Sequence, residues 1–193
     1  MNEDFLIEIL SHAVKDPTEM ASKLSNHYNS FVALAEADIE DIALTLDGDK
    51  STALYLKLSL ALVSRRKCDK FAFKKKHTKE ETEDYLKAFF FGVSVETIVI
   101  ISIDSSDKVI ACDKVSEGTV NFSNVLPRRV LEIAIKRGAR KIIIAHNHPG
   151  GYAIPSDDDL SSTKMLSEIL SVSGVSVASS YVVAGAECAE ICV

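Results

Sequence analysis

The chain has 193 residues, 47% of them hydrophobic, and a formal net charge of −6. That is room for one ordinary domain plus a smaller one, with enough apolar material for a substantial core. No stretch reaches the apolar length of a membrane span, and the acidic balance is not the basic footprint of a strong nucleic-acid binder. Residues 1–76 carry 11 positive and 12 negative groups, and residues 77–193 carry 11 and 16, so neither half is basic. The start, Met1-Asn2-Glu3-Asp4, lacks the basic region and apolar core of a signal peptide. Four cysteines (Cys68, Cys112, Cys188, Cys192) show no Cys-x-x-Cys pairing. The expected compartment is therefore the cytoplasm, with Cys188 and Cys192 read as packed thiols.

Residues 4–66 read as helices throughout. Phe5, Leu6, Ile9 and Leu10 fit a first apolar face, and Met20, Leu24 and Tyr28 a second. A third helix starts at Asp38-Ile39. A fourth, capped by Ser51, runs through Leu54, Leu58 and Leu62 to Arg65. The polar link Leu46-Asp47-Gly48-Asp49-Lys50 joins these last two. Residues 67–77 read as a linker. Seven basic residues between Arg65 and Lys76, with Phe71 and Phe73 among them, form either a solvated connector or a stacking strap for nucleic acid.

Beyond the linker, Thr78 with Glu81 has the marks of a capping box. The helix it starts should bury Tyr85, Leu86, Phe89 and Phe90 and stop near Gly92. Val93–Ile103 and Lys108–Val115 are rich in β-branched residues and read as strands around the turn Asp104–Asp107, with Glu117–Asn121 continuing or ending the sheet. A helix from Ser123 or Asn124 through Pro127 to Gly138 follows, then a strand at 142–147, a helix at 157–172, a strand at Val175–Val183 and a short last strand. Strands and helices mix around one sheet, which is an α/β (α+β) pattern.

One stretch carries the chemistry: Ile142-Ile143-Ile144-Ala145-His146-Asn147-His148-Pro149-Gly150-Gly151, running on to Pro155-Ser156-Asp157-Asp158-Asp159. Side chains alternate along a strand, so His146 and His148 project to the same side, while Asn147 projects to the other and reads as structural. Two neutral imidazoles at a strand end can hold a divalent metal, and zinc is the usual guest. The helix that starts near Ser156 returns Asp159 as a third candidate ligand, leaving the fourth tetrahedral position open, as in catalytic zinc sites. Ser156 and Asp159 are equally a capping box, with Asp157 and Asp158 placed to suit the helix dipole.

The spacing His-x-His, seven residues, Ser, two residues, Asp resembles the metal motif of the JAB/MPN (JAMM) metalloprotease fold. The longer string HNHPGG…PSDDD…T resembles the bacterial RadC family within it, over roughly the last 115 residues. Glu117, in Ser116-Glu117-Gly118-Thr119, stands where that family carries its own Glu-Gly-Thr. The resemblance implies a JAB/MPN-like mixed sheet flanked by helices over 78–193, preceded by a small all-α domain over 1–66. It implies one zinc per chain on His146, His148 and Asp159, with Glu117 as general base and then general acid, and Ser156 as oxyanion donor. Zinc would lower the pKa of its water from about 16 towards 7. The implied substrate is a protein or peptide, cleaved at a peptide or isopeptide bond.

Two departures from the RadC pattern stand out. The helical half resembles the helix-hairpin-helix module of RadC proteins, which holds DNA phosphates on a Gly-x-Gly hairpin. Here only Gly48 remains, flanked by Asp47 and Asp49. The last long strand has Ser179-Ser180 before Tyr181-Val182-Val183, where RadC proteins carry Asp-His. The competing readings are a DNA-associated, repair-related protein or zinc nuclease, and a JAMM-fold interaction scaffold without turnover.

With two aspartates beside the hairpin and no basic excess, the expected DNA binding is at most weak, salt-sensitive and sequence-independent. Fluorescence anisotropy against duplex DNA at physiological salt checks this. Submicromolar binding that vanished on altering Gly48 would contradict it.

Overall fold

Short polar side chains start the N-terminal helices in the computed structural model, which describes residues 1–72, 77–118 and 125–192. Asn2, Asp16 and Ser30 accept the N–H groups of Phe5, Glu19 and Ala33 and open α1 (Glu3–Leu10), α2 (Pro17–His27) and α3 (Phe31–Glu36). Next come α4 (Ile39–Thr45) and α5 (Lys50–Ala72). Leu6, Leu10, Leu24, Leu34, Ile42 and Leu56 are fully buried. The chain divides into two units, Met1–Arg66 and Lys67–Val193.

Three features of the first unit differ from the sequence reading. The six residues of α3 are too few to show a period, and sequence patterning passes over them. The cap of α5 is Asp49, not Ser51: its carboxylate accepts the Thr52 N–H at 3.0 Å and the Thr52 hydroxyl at 2.6 Å. The stripe Leu54, Leu58, Leu62 lies outward, 46%, 55% and 70% exposed, while Ala53, Leu56 and Leu60 face the core. Between them Lys57 turns inward, donating Nζ to the carbonyls of Ala35 and Ala37 at 2.6 and 2.8 Å. At the hairpin, Asp47 and Gly48 take positive φ (56° and 88°), and Lys23 pairs with Asp47 at 2.6 Å. The positive end of α5 is thus already served by Asp49.

The segment read as a linker, 67–77, begins as helix, because α5 continues to Ala72. Phe71 is buried and stacks on Tyr85 with ring centroids 4.2 Å apart, so it belongs to the core of the second unit rather than to an exposed strap. Phe73 lies outside the described residues, as do the caps expected at Ser123 and Asn124.

The second unit opens with α6 (Lys79–Phe90), started by the reciprocal Thr78–Glu81 capping box. Then follow β1 (Thr97–Ile103), β2 (Val109–Glu117), α7 (Val125–Arg137), β3 (Lys141–Asn147), α8 (Asp157–Val172), β4 (Ser176–Ala184) and β5 (Glu187–Glu190). They form one five-stranded sheet in the order β2-β1-β3-β4-β5. It is mixed, since β3 and β4 run parallel while the other pairs are antiparallel. The α/β fold with a helical N-terminal region is the one expected.

Both faces of the sheet are covered, which is why β3 is a continuous apolar run rather than an alternating one. Ile142 and Ile144 pack with Val130 and Ala134 of α7 and with Leu166 and Leu170 of α8. Ile143 and Ala145 pack on the other face with Tyr85, Leu86 and Phe90 of α6. Cys188 packs against that second cluster, its thiol pushed up to about 12 by burial, whereas Cys192 is exposed and not packed as expected. Among the described residues, no helix is long and apolar enough to cross a membrane.

Ile142 is fully buried in the central strand. Truncation to Ala should cost about 2–5 kcal/mol of unfolding free energy, read as a lowered midpoint in urea with an unchanged slope.

Candidate metal centre

The site grows from the end of β3. Alternation sends His146 to the face of Ile142 and Ile144, the one covered by α7 and α8, and Asn147 to the opposite face. Asn147 fixes the strand end there. Its Oδ1 accepts the Thr97 N–H at 2.8 Å, and its amide donates to the carbonyls of Val93 and Val95 at 3.1 and 3.2 Å. Those bonds hold the chain before β1 outside the ladder, so the strand expected from Val93 starts only at Thr97. His148 lies one residue past β3, yet its N–H still donates to the Val183 carbonyl at 2.8 Å. Its Nδ1 meets the Tyr152 carbonyl at 3.1 Å. A proton on Nδ1 for that bond leaves Nε2 with a free lone pair, the tautomer a metal ligand requires.

Asp159 enters from α8. Its Oδ2 accepts the Ser156 N–H at 2.8 Å and the Ser156 hydroxyl at 2.7 Å, while its own N–H donates to the Ser156 Oγ at 3.1 Å. Its Oδ1 lies 3.1 Å from the His146 Nε2, and Oδ2 lies 3.6 Å from the His148 Nε2. The capping box and the candidate ligand are therefore the same carboxylate. Burial opposes its ionisation, but the hydrogen bonds from His146 and Ser156 outweigh this and hold the carboxyl well below the usual carboxylate range. A lowered pKa favours the ionised form, so the stability this adds is present above the usual carboxylate range and is lost as the pH falls through that range and below it.

The two imidazoles converge as well, with Nε2 to Nε2 at 3.1 Å. Donor atoms of His146, His148 and Asp159 all lie within 4.8 Å of one another. Tetrahedral zinc with bonds near 2.0–2.1 Å needs donors about 3.3 Å apart, so the set fits such an ion. A sequence model for the RadC-like JAB domain matches residues 76–190. The chain belongs to this family.

Relatives carry the likeness beyond that domain. A UPF0758 protein of Janthinobacterium sp. (strain Marseille) is 28% identical over 177 residues, which is 91% of this chain and 79% of the relative. One from Pseudoalteromonas translucida is 30% identical over 175 residues, 88% of this chain and 76% of the relative. A UPF0758 protein of Finegoldia magna reaches 41% identity over 83 residues, 43% of this chain and 37% of the relative.

Within this RadC-like domain, the other expected residue stands apart. Glu117 is the last residue of β2, opposite Thr97, with its carboxylate 3.0 Å from the Lys114 Nζ. His146 pairs with Ile98. Glu117 thus ends at the same end of the sheet, two strands and about 9–10 Å away. The β1–β2 register shifts between Ile98 and Val99, and beyond that bulge Glu117 shares the face of Thr97, opposite to that of His146 and its partner Ile98. Ser156 lies beside the candidate ligand set, its hydroxyl donating to Asp159 Oδ2.

Sequence reasoning missed the Tyr152 carbonyl, because a backbone acceptor carries no residue-type signal. It also missed the small cavity of about 20 Å³ behind His146, where the hydroxyls of Thr163 and Ser180 lie 3.4 Å apart. Ser180 could have been found, since it falls in the Ser-Ser pair that departs from the RadC pattern.

Asp159→Asn separates cap from ligand. Asparagine still accepts at the helix start but is a poor zinc ligand. Zinc per chain by plasma mass spectrometry should drop while far-UV circular dichroism stays unchanged; full occupancy would show that Asp159 only caps.

Proposed function

We propose that the chain is a zinc-dependent peptidase or isopeptidase, with His146, His148 and Asp159 holding one zinc ion. The observation that carries this reading is the convergence of two imidazole nitrogens and a carboxylate oxygen at 3.1 Å contacts. Membership of the RadC-like JAB family supports it. Zinc, when bound, supplies Lewis acidity that polarises a carbonyl and brings the pKa of water towards about 7.

The protein's own residues supply the rest. Glu117 takes a proton from the attacking water on its carboxylate and hands it to the leaving nitrogen. To do so it releases Lys114 and turns round the end of β2, where Gly118 (φ 79°) gives the backbone freedom that a side-chain-bearing residue lacks. The Ser156 hydroxyl turns from Asp159 Oδ2 and donates to the oxyanion as the carbonyl becomes tetrahedral. Asn147 and the Tyr152 carbonyl keep the two histidines oriented.

One observation favours a second reading, an interaction scaffold without turnover: the Glu117 carboxylate rests on Lys114 rather than beside the ligand set. Glu117→Gln decides between them. On the hydrolase reading the variant keeps one zinc per chain and its peptide turnover falls about 100- to 10,000-fold. Unchanged turnover, or loss of zinc, would remove Glu117 from its assigned role. A zinc-loaded wild-type chain that cleaves neither peptides nor isopeptides would establish the scaffold.

A further inference from the structure

The loop between His148 and Ser156 holds two side chains that neither the ligand set nor the cap uses. Tyr152 is 76% exposed and Ile154 is 68% exposed, while Ala153 between them is 9% exposed. Tyr152 and Ile154 therefore both face outward, with Ala153 buried between them. Scattered exposed apolar residues are ordinary on a surface. Two outward-facing apolar side chains in a loop only seven residues long, tied at both ends to a candidate metal centre, are not scattered.

The loop is also held in place. The Tyr152 carbonyl meets the His148 Nδ1 at 3.1 Å, and the Gly151 N–H donates to the His148 carbonyl at 3.2 Å. A Cβ on Gly151 would meet the His148 Cβ at 3.4 Å, so the backbone lies directly against that ring's stem. At the far end Pro155 fixes its own φ and the Ser156–Asp159 box begins α8. Tyr152 and Ile154 are thus carried on backbone positioned by the ligands themselves. A backbone held in this way lowers the entropic cost of holding a partner, and tyrosine adds few rotatable bonds to it.

We propose that Tyr152 and Ile154 form an apolar lip that selects polypeptides with a hydrophobic side chain beside the scissile amide. This rests on the hydrolase reading and names the substrate class of that same site. The partner is apolar rather than anionic because Asp157 and Asp158, both exposed, follow directly and repel a carboxylate or phosphate. It is a segment in the site rather than a second copy of the chain: two side chains bury a few hundred Å² at most, against about 1,200 Å² for a stable protein interface.

The test is peptide capture by the zinc-loaded full chain carrying Glu117→Gln, using a random-sequence peptide mixture blocked at both ends. Bound peptides are sequenced by mass spectrometry. They should be enriched about tenfold or more in Leu, Ile, Val or Phe at one position. Adding Tyr152→Ser and Ile154→Ser should abolish most of that enrichment with zinc per chain unchanged, while Tyr152→Phe should retain it. Equal enrichment with and without the two serines, no enrichment at all, or loss of zinc in the double variant would overturn the proposal. Cleavage by the chain with Glu117 intact keeps the two readings apart. Cutting without apolar preference overturns the lip and leaves hydrolysis standing. Capture of apolar peptides with no cutting overturns hydrolysis and leaves the lip.

Discussion

The site depends on how one carboxylate divides its two oxygens. Oδ2 of Asp159 closes the first turn of α8 on Ser156, and that leaves Oδ1 aimed at His146. The cap fixes where the helix starts, and the helix start fixes where the candidate ligand oxygen sits. A carboxylate reaching from a flexible loop would lose side-chain entropy on meeting the histidines; here the capping bonds have already taken that loss. The ion-pairing geometry with His146 and the two bonds from Ser156 also keep the group ionised despite its burial, which an apolar surrounding alone would resist.

The sheet supplies the other half of the constraint. His146 stands on a strand buried on both faces, paired antiparallel to β1 and parallel to β4. Asn147 bonds across to the chain before β1, and His148 reaches past the strand end to the Val183 carbonyl. Each histidine is therefore positioned by main-chain pairing rather than by its own packing. The parallel β3–α8–β4 crossover makes this possible, since it brings the start of the next helix back over the end of the strand it follows.

Legibility from sequence followed the same physics. The capping boxes at Thr78–Glu81 and Ser156–Asp159 are local, reciprocal and spaced by three, so both helix starts could be read directly. The run from Ile142 announced a strand buried on both faces. What failed was the choice among faces. Around α5 apolar residues occur on more than one side, and spacing alone picked Leu54, Leu58 and Leu62 where packing chose Ala53, Leu56 and Leu60. Lys57, buried by its bonds to two carbonyls, lies on the inward side for a reason no hydrophobic period encodes. Phe71 looked like part of a connector because the basic residues around it dominate its neighbourhood, yet the ring stacks on Tyr85 in the core.

Glu117 marks a further boundary in what sequence spacing can specify. The candidate ligand set and its cap all fall within 146–159, where one strand end, one loop and one helix start determine every distance. Glu117 is related to them only through the pairing of β1 with β2 and of β1 with β3, and beyond the shifted register it shares the face opposite His146. On the proposed reading, metal holding and proton transfer are therefore separable. The first is built into one contiguous segment whose hydrogen bonds are already formed. The second would require the exposed Glu117 carboxylate to exchange Lys114 for the site. An exposed pair of this kind contributes little to stability, so Lys114 holds Glu117 only lightly and poses a small barrier to that exchange.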